Sequence, residues 1–383
     1  MIIRVKRLYT PEMVVEPASI VVERGVIKKV VRGWIDGGDV VDARDLIAVP
    51  GLVDTHMHGL RGVDVYTGRE SDLEHVSRNL VEFGVTSFLP TSVTLPHDDL
   101  KNFVECVASF MQRQREAGYE GARVLGSYLE GPFINPEARG AQNPQYIREP
   151  SLEELDELFR ASRGTLRVIA LAPEIPGALD LVARARELGV IPSLGHSAAG
   201  YEEALRGIEA GIRRATHLFN AMKRFHHREP GAVLALLQSR SVFLEIIADG
   251  VHLHPAVVRF VIDVAGPERV VLITDSISAA GLGDGEYVLG GLRVVVRNGI
   301  ARLENGALAG STLTMDRAVR NVVGLGLDLS RALEMATRTP ARSIDEHGVG
   351  CLEPGCYADI VLLDEGLNVR RVFVGGNELF SRW

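Results

Sequence analysis

Two histidines one residue apart, His56 and His58, close the apolar run Val49-Pro50-Gly51-Leu52-Val53-Asp54-Thr55. Alternate side chains of a strand share a face, so both imidazoles can reach one point and make half of a divalent-metal site. Four further residues carry compatible chemistry. Glu130 ends the run 124–131, His196 ends 190–196, His217 lies in 215–220 and Asp275 ends 270–275. Taken singly, each has an ordinary structural explanation: a helix-capping turn at His196-Ser197, a core histidine at 217, an ion-pair partner at Glu130, a cap at Asp275-Ser276. Jointly they point to a metal centre, because each falls at or near the end of a separate strand-like run. Nitrogen and carboxylate donors suit Zn²⁺ or Fe²⁺, one or two ions. An ion so held would lower the pKa of a bound water to about 7. Asp275 is then the group to take that water's proton and pass it to a leaving nitrogen.

The elements that must position these residues follow from hydrophobic patterning. Residues 1 to 48 alternate apolar and polar positions in short runs, as in Ser19-Ile20-Val21-Val22-Glu23, which predicts hairpins of a small sheet. From residue 49 short apolar strands alternate with helical stretches, the pattern of repeated βα units. Eight strands are expected, at 49–56, 86–93, 124–131, 167–173, 190–196, 215–220, 242–249 and 270–275. Eight such units close into a (β/α)8 barrel whose working residues sit at the C-terminal strand ends. Strand-like runs within 286–296 form an insertion, and strand character returns at 359–363 and 369–374. The expected organisation is a hydrolase barrel over 49–345 and a small β-sandwich domain built from 1–48 and 346–383, since neither terminal piece is large enough to stand alone.

Composition narrows the class. The 383 residues are 46% hydrophobic and 24% charged with a net charge of −8, which fits a globular enzyme and offers no nucleic-acid or membrane surface. No apolar run reaches the ~18 residues of a membrane span, and the start of the chain reads as a strand rather than a signal peptide, so a cytoplasmic location is expected. Cys106, Cys351 and Cys356 cannot form a disulfide framework; the last two lack a second pair for a structural zinc site and are expected to be two small buried residues.

The motifs Pro50-Gly51-Leu52-Val53-Asp54-Thr55-His56-Met57-His58-Gly59, Leu129-Glu130-Gly131-Pro132-Phe133, Gly195-His196-Ser197, Thr216-His217-Leu218-Phe219-Asn220-Ala221-Met222, Arg228-Glu229-Pro230-Gly231 and Leu308-Ala309-Gly310-Ser311 resemble the amidohydrolase superfamily. Within it they are similar to the deacetylases of N-acetylglucosamine 6-phosphate. The resemblance implies that Glu130, His196 and His217 hold the principal metal, that His56 and His58 support a second, and that Asp275 is the catalytic acid/base. It implies a phosphosugar substrate met by Ala141, Gln142, Asn220, Ala221, Asp249, His252, Leu308, Ala309 and Gly310. Arg228 would reach the phosphate from the neighbouring subunit of a homodimer, as suits a bidentate guanidinium. Relatives usually carry histidine where this chain has Gln142, which can donate a hydrogen bond to an acetyl carbonyl but holds no charge. Binuclear relatives often bridge their metals with a carboxylated lysine on strand four; 167–173 has none, so Glu130 would take that role. Alternatives are another acetamido sugar phosphate, such as the galactosamine isomer, a cyclic amide, or a barrel kept as a scaffold. The first is the nearest. The second predicts a strand-four lysine, and the third predicts missing ligands.

Overall fold

The computed structural model describes residues 1–10 and 13–382. Parallel strands Leu52–Met57, Val85–Ser92, Ser127–Glu130, Leu166–Leu171, Ile191–Leu194, Arg214–Ala215, Phe243–Ile247 and Val270–Ile273 pair side by side in the expected barrel order. Strands such as Val85–Ser92 are buried along their whole length, as expected where helices cover one face and the barrel interior the other. The ring closes between the ends of its eighth and first strands through side chains and backbone bonds, among them those from His58 and Gly59 N–H to the Ser276 carbonyl. Asp275 N–H donates to the His56 carbonyl at 2.9 Å, and the Thr274 hydroxyl donates to Asp54 at 2.5 Å. Two strand ends that carry candidate chemistry are thereby tied to each other.

The covering helices are amphipathic. In His97–Ala117, buried Leu100, Phe103, Val104, Val107, Phe110 and Met111 recur at three- and four-residue spacing, and Asp98 and Asp99 lie in the first turn, where the helix dipole favours negative charge. The insertion is a three-stranded antiparallel sheet, Gly285–Leu289, Leu292–Arg297 and Ile300–Leu303, beside the mouth of the barrel.

Both chain ends join one eight-stranded sheet, in which Val40–Pro50 runs between Ile2–Tyr9 and Ile360–Leu363. Its core includes Ile3, Val5, Ile20, Ile360 and Phe373. The apolar run expected as one strand over 49–56 is divided at Gly51 between this sheet and the barrel. A Cβ at Gly51 would sit 2.0 Å from the Thr86 hydroxyl, so only glycine lets the chain cross that closely. Cys351 and Cys356 correct the expectation of two unlinked thiols: they form a disulfide. Glu353-Pro354-Gly355 reverses the chain between them, and Gly355 and Cys356 bond to Ile27, which fixes the turn against the terminal sheet. Among the described residues no helix is long and apolar enough to cross a membrane.

Candidate metal centre

Six side chains from five strand ends converge at the mouth of the barrel. Glu130 lies at the centre. Its Oε1 is 2.9 Å from His217 Nε2, 3.2 Å from His196 Nε2 and 3.4 Å from His56 Nε2, and its Oε2 is 3.3 Å from His58 Nε2. Asp275 Oδ1 is 3.0 Å from His58 Nε2 and 3.6 Å from His56 Nε2. Two groups of metal-ligating geometry result, His56/His58/Glu130 and Glu130/His196/His217, all buried and sharing the one carboxylate.

The histidine tautomers follow from what lies behind each ring. His56 Nδ1 faces a Glu245 carboxylate oxygen at 2.9 Å, His58 Nδ1 the Thr91 carbonyl at 3.1 Å and His196 Nδ1 the Ala138 carbonyl at 3.1 Å. These oxygens only accept, so Nδ1 carries the proton and Nε2 turns a lone pair toward Glu130. Lone pairs facing carboxylate oxygens repel unless a cation lies among them. His56 Nε2 is buried without a hydrogen-bond partner, and His196 and His217 bring their Nε2 atoms to 3.1 Å of each other. The donor set therefore fits one or two divalent ions.

The electrostatics agree. Burial pushes the His58 imidazole down, but Asp275 and Glu130 outweigh it and raise its pKa to about 9. Burial likewise opposes charge on His56, yet Glu245 and Glu130 lift it well above the ordinary value. Glu130 is pushed up by burial and held well below the carboxylate range by His56, His196 and His217. Such a site stabilises positive charge, and an ion must displace the His58 proton to bind. Metal affinity, measured by chelator competition, is expected to rise by about tenfold per pH unit for each proton displaced, up to pH about 9, and then level off. A flat profile from pH 6 to 9 would contradict this.

Backbone conformation sets the aim of these groups. His196, His217, Phe219, Ala221 and Asp275 all have positive φ, which non-glycine residues rarely adopt and which clusters at functional sites. His217 is expected within a strand; that strand ends at Ala215, and His217 lies in the turn 216–220 that follows it. Glu174 supports the His196 turn by accepting from the Ser197 hydroxyl at 2.7 Å and Ala198 N–H at 2.6 Å. Gly310 (φ +56°) lets its turn pack on Asp275, whose carbonyl would be 2.8 Å from a Cβ at that position.

A cavity of about 260 Å³ opens over the cluster, lined by His58, Glu130, His196, His217 and Asp275 together with Ala141, Gln142, Asn220, Ala221, His252, Leu308 and Gly310. His56 lies beneath its floor, fully buried. Asp249 stands behind His252, bonded to its Nδ1 at 2.7 Å, and Ala309 is buried behind the turn. Arg228 is exposed on the 223–229 loop, hydrogen-bonded through Nη1 to His227 Nε2 at 3.0 Å, and does not line the cavity of its own chain. Gln142 differs from expectation in its partner. Its amide nitrogen donates to Glu130 Oε2 at 2.6 Å, and its oxygen accepts from Thr94 N–H at 2.7 Å, so it orients the shared carboxylate. A larger cavity, about 990 Å³, lies between the terminal sheet and residues 338–354, apart from both ligand groups.

Sequence reasoning missed Glu245 and Arg214, which lie under the cluster inside the barrel. The available signal was a lone carboxylate in the strand Phe243-Leu244-Glu245-Ile246-Ile247, since a charge in an apolar run is costly unless paired.

Comparison with known proteins agrees with this geometry. Over 378 residues the chain is 41% identical to N-acetylgalactosamine-6-phosphate deacetylase of Escherichia coli O157:H7, covering 98% of each. It is 38% identical over 345 residues to N-acetylglucosamine-6-phosphate deacetylase of Vibrio furnissii, covering 90% of this chain and 85% of that one. Among solved structures, N-acetyl-D-glucosamine-6-phosphate deacetylase of Mycobacterium smegmatis, in a mutant form bound to N-acetyl-D-glucosamine-6-phosphate, superposes with a TM-score of 0.92 at 33% identity, covering 100% of this chain and 99% of that one. The Amidohydrolase family model matches residues 47–379, a span that takes in all six converging side chains. With the family model spanning 47–379 and full-length relatives at 38 and 41% identity, this chain belongs to the amidohydrolase family.

Proposed function

We propose that the chain hydrolyses the acetamide of N-acetylglucosamine 6-phosphate, releasing glucosamine 6-phosphate and acetate. What carries the reading is the coincidence of full-length similarity to acetamido-sugar-phosphate deacetylases with a cavity lined by Asp275 and four of the five ligand candidates, the fifth, His56, lying beneath its floor. One or two divalent ions, zinc or iron, held by Glu130, His196 and His217 and by His56 and His58, supply the Lewis acid for water and the amide carbonyl. Asp275 does the proton work. Burial pushes its carboxyl up, but without an ion His58 and His56 hold it below the ordinary carboxylate range, and an ion on those imidazoles would act in the same direction, so it is ionised at neutral pH. It accepts a proton from the attacking water as the oxygen–carbon bond forms. It then delivers that proton to the sugar nitrogen as the carbon–nitrogen bond breaks. Asn220, Ala221, His252 and the turn at Leu308 and Gly310 shape the wall around the sugar, with Asp249 orienting His252.

The phosphate is the less complete part of the site, because among the described residues no arginine or lysine lines the cavity. Arg228 from a second copy in a homodimer supplies the charge in this reading, supported by its exposure and its distance from its own cavity. Arg228→Ala is expected to raise KM for the phosphorylated sugar by about 10- to 100-fold with kcat little changed, the size of a lost charge-assisted bond. Steady-state kinetics on phosphorylated and free sugar check this, and equal KM values for wild type and variant would remove the role. A cytoplasmic location belongs to the same reading, since a phosphorylated sugar does not cross a bilayer unaided.

The 41% identity to an N-acetylgalactosamine-6-phosphate deacetylase favours a second reading, the same chemistry on the C4 epimer. The kcat/KM ratio for the two epimers decides between them.

A further inference from the structure

We propose that Glu245, held by Arg214, is a positioning residue that presets the metal-facing nitrogen of His56 and braces the backbone at His217. Both residues are fully buried inside the barrel. One oxygen, Glu245 Oε2, serves both tasks: His56 Nδ1 donates to it at 2.9 Å and the His217 backbone N–H at 3.1 Å. The other, Oε1, accepts from Arg214 Nη2 at 2.5 Å. Arg214 is itself fixed, donating to the Thr55 hydroxyl at 3.0 Å and to Ser343 Oγ.

The arrangement does three things. The carboxylate forces the proton of His56 onto Nδ1, which leaves the Nε2 lone pair facing the shared carboxylate Glu130. Arg214 balances the charge, so Glu245 remains an anion without drawing a proton from His56. The bond to His217 N–H holds a left-handed residue (φ +31°) at the start of the turn that presents the second ligand group. One buried oxygen thus links His56 of one half-site to His217 of the other. The inference rests on reading the cluster as a metal centre and is independent of which sugar is the substrate.

The test uses the full-length protein stripped of metal and titrated with Co²⁺, following visible absorption and competition with a chelator. Two variants are compared with wild type: Glu245→Gln, and the charge-neutral pair Arg214→Met with Glu245→Gln, which leaves no unpaired buried charge. Circular dichroism and thermal melting establish that each is folded. The expected result is a folded protein whose Co²⁺ affinity falls by about 10- to 100-fold and whose absorption spectrum changes, the size of an outer-shell effect on a ligand. A merely structural role predicts a lower melting temperature with affinity and spectrum unmoved, and that outcome overturns the proposal. Failure of both variants to fold would assign the pair to stability and overturn it also. If wild type binds no Co²⁺, the metal reading itself fails; if wild type and variants bind equally, only the role of Glu245 does.

Discussion

Asp275→Asn is expected to lower kcat by about 10²- to 10⁴-fold while leaving fold and metal content unchanged. The asparagine keeps the size of the side chain and a neutral oxygen at the place of Asp275 Oδ1, 3.0 Å from His58 Nε2. It cannot accept a proton from water or carry one to the amine. The loss should therefore fall on kcat, with KM for the phosphosugar close to wild type. Metal analysis beside steady-state kinetics separates this from a ligand effect. A variant that loses its metal along with its activity would make Asp275 a ligand first, and one that keeps wild-type kcat would require another proton carrier.

Glu130→Gln should do still more damage, because one residue serves both ligand groups. Its two oxygens meet His56, His196 and His217 on one side and His58 on the other. An amide presents one weak acceptor in place of two anionic oxygens, and its NH₂ would point at an imidazole or an ion. Gln142, which now donates to Glu130 Oε2, would face a second donor if that end became the amide nitrogen. Metal content is expected to fall to background, with activity reduced by at least about 10⁴-fold because the Lewis acid and the ligand geometry go together. Elemental analysis of the purified variant gives the result, and retention of a full complement of metal would show that the histidines hold it without the carboxylate.

The strand ends were legible because periodicity marks each short apolar run and a barrel puts all their C-terminal ends on one rim. His56, Glu130, His196 and Asp275 could be gathered into one site from position alone. His217 was placed in a strand because Thr216-His217-Leu218-Phe219 is apolar and β-rich. The left-handed turn there is set by tertiary bonds to Glu245, which pattern does not encode. Gln142 could be placed beside the site but not aimed, since Thr94, which fixes its oxygen, lies 48 residues away in sequence. The Cys351–Cys356 disulfide was missed for a simpler reason: two cysteines five apart give no framework, and only the reversal at Pro354-Gly355 brings their sulfurs together. Arg214 and Glu245 were invisible as a pair because each lies in a different strand, and only the closed barrel joins them.

The most direct test of the account is acetate release from N-acetylglucosamine 6-phosphate by protein stripped of metal and then restored with Zn²⁺ or Fe²⁺, with the unphosphorylated sugar measured in parallel. The account predicts no turnover by the stripped protein, recovery on adding metal, and a strong preference for the phosphorylated sugar. Undiminished turnover without metal would contradict the reading of the Glu130 cluster, and absence of turnover with every metal on either phosphorylated epimer would contradict the deacetylase itself.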